Sequence, residues 1–157
     1  MSAQAVLATL RDRGQTLAVA ESLTGGLLAA TIVDVPGASH AFRGGFVVYA
    51  TELKATLAGV PPELLDAHGP VHPDVAAALA GGTQQRCAAD WALATTGVAG
   101  PEPQGGRPVG TVYLGLAGPD GFGLVRGLQL AGDRAAIRRD AVAAALDLLV
   151  GTLREAG

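Results

Sequence analysis

The sequence predicts an α/β fold: a layered, mixed sheet of about five strands flanked by helices. Short apolar runs without helix breakers alternate with segments of helical spacing through the N-terminal part, which is typical of parallel strands joined by helices. Two later apolar runs are separated by Gly118-Pro119-Asp120-Gly121, a hairpin signal. A long helical pattern follows them, so we expect an antiparallel hairpin and then a long helix at the C-terminus.

Each element has a local reason. Residues 3–13 place apolar side chains at helical spacing and stop at Gly14, and residues 16–20 form an unbroken apolar strand. Residues 27–32 form a helix of small and apolar residues. The other predicted elements are a strand at 45–49, a helix with Thr51 as its N-cap, a short helix opened by Pro61-Pro62, a helix at 73–89, strands at 91–96, 109–117 and 122–130, and a helix at 133–154 capped by Asp133.

Composition limits the function classes. The 157 residues are expected to form one domain, 1–157, and the formal net charge of −3 argues against a nucleic-acid binder, which normally has a basic face. No apolar run reaches the length of a membrane span, so no membrane partner is expected. The chain has a single cysteine, Cys87, which excludes an internal disulfide and is typical of a cytoplasmic protein. We predict Cys87 to be a small core residue on a helix.

Two glycine-rich strand ends are the candidate site. The first is the turn 21–26, with Ser22, Thr24, Gly25 and Gly26, and the second is the loop that starts at Thr95. In an open α/β sheet both would lie outside the carboxyl ends of strands, where backbone N–H groups can hold an anion or a developing oxyanion. The alternative is an ordinary connection in which Ser22 or Thr24 only caps the helix.

The base that a hydroxyl nucleophile needs is not obvious. His68 and His72 are separated by Gly69 and Pro70, which prevents a regular helix, so no metal site is predicted there. The chain has one lysine, Lys54, among ten arginines, and only a lysine can lose its proton near neutral pH. Ser–Lys pairs are a known variant of the catalytic triad. The alternative is a solvated surface lysine.

Several motifs recur together, in an order that resembles one family. They are 20–26 (with Glu21-Ser22), Pro36-Gly37, Gly45-Phe46-Val47-Val48-Tyr49, Glu52 with Lys54, His68-Gly69, 96–101 and Pro108-Val109-Gly110-Thr111. This pattern resembles the CinA C-terminal domain family, the nicotinamide-nucleotide amidohydrolases, over about residues 4–154. The resemblance implies the fold of that family and the hydrolysis of nicotinamide mononucleotide to nicotinic acid mononucleotide and ammonia.

The resemblance also implies roles for residues of this chain. Ser22 would be the nucleophile and Lys54 the general base, with Tyr49 and Thr24 beside them. Substrate contacts would come from the backbone of the two loops and from arginines near the nucleotide phosphate: Gly25, Gly26, Thr96, Gly97, Gly100, Arg138 and Arg139. The family implies no metal and no cofactor, a small-molecule nucleotide as the substrate, and a homo-oligomer.

The chain departs from the family pattern at several positions. Leu23 and Thr51 replace the usual cysteine and asparagine, Arg43 lies one residue further from its strand, and the loop after Pro101 lacks the usual glycine-rich acidic stretch. These differences leave a second interpretation open, in which the domain binds a nucleotide without turnover or has a competence-associated regulatory role.

Overall fold

The computed structural model describes residues 2–156, which form a five-stranded sheet between two layers of helices. This confirms the predicted fold class. The helices are α1 (Ser2–Arg13), α2 (Leu27–Val33), α3 (Thr51–Thr56), α4 (Pro62–His68), α5 (Pro73–Arg86) and α6 (Arg134–Ala156). The strands are β1 (Leu17–Glu21), β2 (Phe42–Val47), β3 (Trp91–Gly97), β4 (Thr111–Ala117) and β5 (Gly123–Gln129).

The strand order is β2-β1-β3-β4-β5, with a change of direction in the middle of the sheet. Strands β2, β1 and β3 are parallel, whereas β4 runs antiparallel to β3 and β5 antiparallel to β4. From β1 the chain moves to β2 on one side and then crosses to β3 on the other. The carboxyl end of β1 therefore lies at a topological switch point, where open α/β sheets bind ligands.

The two faces of the sheet are covered by different helices. Successive strand residues point to opposite faces. Val19 and Leu93 accordingly pack with α1, α2 and α6, whereas Ala20 and Ala94 pack with α3, α4 and α5. The second face is lined by small side chains because α5 lies close to the sheet: a Cβ at Gly115 of β4 would be 2.1 Å from the carbonyl oxygen of Ala76.

Three local predictions were wrong. Strand β2 starts at Phe42 and ends at Val47, with Arg43 left out of the pairing at a bulge, so Tyr49 lies beyond the strand rather than in it. Thr51 is the first residue of α3 and makes no capping hydrogen bond, because Ala50 occupies the N-cap. Helix α5 ends at Arg86, which leaves Cys87 half-buried after the helix instead of in the core.

Asp133 caps α6 as predicted, since its carboxylate accepts a hydrogen bond from the N–H of Ala136 at 2.9 Å. Within residues 2–156, no helix combines the length and the apolar character needed to cross a membrane.

Candidate active site

The carboxyl ends of the three parallel strands meet in one crevice. Ser22 directly follows β1 and Val48 directly follows β2. Thr95 and Gly97 lie in the last three residues of β3. Backbone hydrogen bonds continue the sheet into this region: Val48 N–H donates to the Glu21 carbonyl at 2.8 Å, and Ser22 N–H donates to the Thr95 carbonyl at 3.1 Å. The backbone on both sides of Ser22 is thereby held in register with its neighbours.

Ser22 and Lys54 are in direct contact. The Lys54 Nζ atom lies 3.0 Å from Ser22 Oγ and 2.7 Å from the Val48 carbonyl oxygen, and the Tyr49 carbonyl oxygen lies 3.4 Å away. Lys54 is only 1% exposed, although lysine is among the residues least often buried. The alternative of a solvated surface lysine is therefore excluded.

Burial changes the acidity of the Lys54 amine. Removal from water disfavours the charged form and lowers the pKa of Lys54 from 10.5 to about 8, while the nearby Glu52 carboxylate acts in the opposite direction. A neutral fraction of this amine is therefore available near physiological pH. That fraction is what a general base requires.

Two backbone donors next to Ser22 remain free for an oxyanion. Among residues 2–156, the N–H groups of Leu23 and Thr24 have no acceptor, whereas Gly25 N–H is bound to the Ser22 carbonyl. The first turn of α2 is not free either, because the buried carboxylate of Glu21 accepts hydrogen bonds from Leu28 and Ala29 at 2.8 and 3.0 Å. The N-terminal end of α2 is therefore occupied by a side chain of the protein, and the free donors of this turn are the N–H groups of Leu23 and Thr24.

A cavity of about 510 Å³ opens beside the Ser22–Lys54 pair. Six of the eleven predicted site residues line it: Ser22, Lys54, Tyr49, Thr96, Gly97 and Gly100. The other five do not. Thr24 is buried behind Ser22 with its hydroxyl 2.8 Å from that of Thr95, and Gly25 and Gly26, both with positive φ, form the turn into α2. Arg139 is exposed to solvent, and Arg138 supports the turn from outside the cavity.

Comparisons with known proteins show the family of this chain. A family model described as the CinA C-terminal domain matches residues 1–153. The chain belongs to the CinA C-terminal domain family. A CinA-like protein of Frankia casuarinae is 58% identical over 144 residues, which is 92% of this chain and 33% of that protein. A CinA-like protein of Acidobacterium capsulatum is 47% identical over 93% of this chain and 35% of its own length. The chain thus spans about a third of the curated relatives it matches.

Solved structures of the family share the fold over nearly the whole chain. The competence/damage inducible protein CihA of Agrobacterium tumefaciens superimposes with a TM-score of 0.93 at 32% identity, covering 98% of this chain and 93% of that one. A CinA superfamily protein of Klebsiella pneumoniae gives a TM-score of 0.94 at 30% identity, covering 98% and 96%.

The arginine that lines the cavity of this CinA domain is Arg134, at the start of α6. Its guanidinium donates hydrogen bonds to the Gly100 carbonyl and, at 3.1 Å, to the Tyr49 hydroxyl. Arg138, one turn later, donates to the carbonyls of Leu23 and Thr24 at 2.9 and 3.0 Å, so it stabilises the turn that carries Ser22. The sequence analysis did not name Arg134 as a site residue. Its position directly after the cap Asp133 placed it in the first turn of α6, one turn before Arg138.

His68, His72 and Asp74 form a cluster around the segment of Pro70 and Val71, which lines the cavity. Their potential ligand atoms lie within 4.8 Å of one another. The two rings are stacked, however, 3.8 Å apart and within 10° of parallel, so their in-plane lone pairs cannot converge on one ion. His72 Nδ1 is also occupied as the N-cap of α5, where it accepts the N–H of Asp74. This arrangement is a helix cap rather than a ligand set.

Proposed function

We propose that this domain is an amidase that hydrolyses nicotinamide mononucleotide to nicotinic acid mononucleotide and ammonia by a Ser/Lys mechanism. The contact between the Ser22 hydroxyl and a buried lysine amine of lowered pKa carries this proposal. Both groups line one cavity, next to free backbone N–H donors.

The groups suffice for both halves of an amide hydrolysis. Neutral Lys54 takes the Ser22 proton while Oγ attacks the amide carbon, and the N–H groups of Leu23 and Thr24 are placed to stabilise the oxyanion. The protonated amine then gives its proton to the leaving nitrogen, the C–N bond breaks and ammonia departs. In the second half, Lys54 takes a proton from water while the water oxygen attacks the ester carbon. The Lys54 ammonium then returns this proton to Ser22 Oγ as the ester C–O bond breaks, which releases nicotinic acid mononucleotide and restores the serine.

The carbonyl groups around Lys54 orient the amine for this role. A neutral amine has two hydrogens and one lone pair. The Val48 and Tyr49 carbonyl oxygens, 2.7 and 3.4 Å from Nζ, can accept those two hydrogens, which directs the lone pair toward Ser22. The backbone after β2 thus acts as the third member of the catalytic arrangement.

Release of ammonia from nicotinamide mononucleotide by the purified chain is the direct test of this function. We expect turnover that persists after prolonged chelation with EDTA, because no step in the proposed mechanism requires a metal. Nucleotide binding without ammonia release would instead favour the nucleotide-binding module. Activity that is lost on chelation and restored by Zn²⁺ would contradict the Ser/Lys mechanism.

The pH dependence of kcat/KM should report the Lys54 amine. The active form is neutral and is populated above the pKa of about 8, so kcat/KM should rise with pH and level off above that value. Glu52→Gln removes the carboxylate that raises this pKa, so we expect the midpoint to move to lower pH, and only slightly because the charge is exposed and screened. A profile that falls through this range would contradict a lysine base.

The arginines of α6 can be separated by one set of variants. Arg134→Ala should raise the KM for the mononucleotide about tenfold, as expected for losing a charge-assisted contact to phosphate, and leave the KM for the riboside nearly unchanged. Arg139→Ala is the matched control and should change neither. If Arg138→Ala alone raises the mononucleotide KM, the phosphate lies at one of the two arginines that the family resemblance implies rather than at Arg134.

A further inference from the structure

Two side chains of opposite charge line the cavity without pairing to each other. Arg134 directs its hydrogen bonds to the Gly100 carbonyl and the Tyr49 hydroxyl. Glu102 lines the same cavity, and within residues 2–156 its carboxylate has neither a hydrogen-bond donor nor a basic side chain within 4 Å. Opposite charges that face one cavity and stay unpaired are suited to a ligand that carries both signs.

Glu102 is the only carboxylate among the described residues that line this cavity. The other two acidic residues near the catalytic pair have different positions. Glu21 is fully buried and is bound by the N–H groups of Leu28 and Ala29, and Glu52 lies outside the lining. A positively charged part of a substrate would therefore find its counter-charge at Glu102.

The segment that carries Glu102, residues 101–107, is held at both ends. Before it, the Gly100 carbonyl accepts the hydrogen bond of Arg134. At its other end, Arg107 donates a hydrogen bond to the Tyr113 hydroxyl at 3.0 Å. The guanidinium of Arg107 also lies over the Tyr113 ring, 5.5 Å from its centre. The backbones of Gln104 and Arg107 also pair with each other. Glu102 is exposed, but this short anchored segment keeps it at the cavity.

We propose that Glu102 is a specificity-determining residue that selects substrates whose amide is attached to a positively charged ring. The inference rests on the proposed function, because in a nicotinamide nucleotide the ring that bears the amide is a cation and the phosphate is an anion. With the amide at Ser22, Glu102 supplies the counter-charge for the ring and Arg134 the counter-charge for the phosphate. Discrimination against uncharged rings then comes from an unpaired carboxylate rather than from shape.

The test measures binding in the Ser22→Ala background, where turnover does not interfere. The probes are nicotinamide mononucleotide and its 1,4-dihydro form, which has the same phosphate and an uncharged ring. Glu102→Gln keeps a hydrogen-bond acceptor but removes the charge, and we expect it to weaken binding of the charged-ring nucleotide about threefold to fivefold at low salt. Binding of the dihydro form should not change. Glu155→Gln, the same charge change near the end of α6, is the control and should affect neither nucleotide.

The outcomes separate this inference from the proposed function. Equal affinities of the Glu102→Gln variant and its parent for the charged-ring nucleotide would overturn the role of Glu102, even if ammonia release is confirmed. Equal weakening of both nucleotides would also overturn it, since that would show a contact insensitive to ring charge. Selective weakening of the charged-ring nucleotide would support the role of Glu102, including in a domain that shows no ammonia release.

Discussion

Lys54→Arg is expected to lower turnover of nicotinamide mononucleotide at least about a hundredfold, the low end for losing acid–base catalysis. Arginine keeps the positive charge, but its guanidinium stays protonated at neutral pH and therefore cannot accept a proton there. The larger guanidinium must also fit a site that is 1% exposed, so folding is checked by circular dichroism and thermal melting. Lys54→Met, which has a similar length and no charge, is the second variant and should be equally inactive.

Ser22→Ala should cause a loss of the same size, because it removes the proposed nucleophile, the hydroxyl that lies 3.0 Å from the amine. The Ser22→Ala/Lys54→Arg double variant should be little worse than either single variant, since residues that act as one unit do not contribute additively. Steady-state ammonia release measures all three. Near-normal turnover in a folded Lys54→Arg protein would remove Lys54 as the base, and multiplicative losses in the double variant would show that the two residues act independently.

Gly45→Ala is expected to destabilise the protein by about 3 kcal/mol or more. An added Cβ would lie 1.8 Å from the carbonyl oxygen of Val19 in the neighbouring strand β1, and φ at this residue is +157°. The clash is with backbone, so no side-chain rotation relieves it. Strand β2 would have to separate from β1, and the Val48 and Tyr49 carbonyls that orient Lys54 would move with it.

Gly44→Ala is the control for Gly45→Ala. Gly44 also has a positive φ, +132°, but a Cβ there would have no atom within 4 Å. Gly44→Ala should lower the free energy of unfolding by only about 1 kcal/mol, because the substitution adds backbone strain but no clash. Denaturant unfolding of both variants measures the difference. Equal losses would show that strain, rather than the contact with β1, determines the requirement for glycine.

Much of the fold follows from local signals in the sequence. The apolar runs at β1 and β3, the Gly-Pro-Asp-Gly turn between β4 and β5 and the cap Asp133 are each predicted by residues close together in the chain. The predicted position of β2 was wrong because the start of this strand depends on its pairing with β1, including a bulge at Arg43. Glycine is required at position 45 because the backbone of β1 lies too close for a Cβ atom. A pattern read along one segment contains no information about that pairing.

For the candidate site, the sequence by itself determined the residue types: a serine in a glycine-rich turn, one lysine among many arginines, and a second glycine-rich strand end. Only the tertiary structure decided that Lys54 is buried against Ser22, that Glu21 occupies the first turn of α2, and that Arg134 rather than Arg138 faces the cavity. The physical reason is that burial, a shifted pKa and the direction of a side chain arise from contacts between segments distant in the chain. Those contacts exist only once β1, β2 and β3 bring their carboxyl ends together.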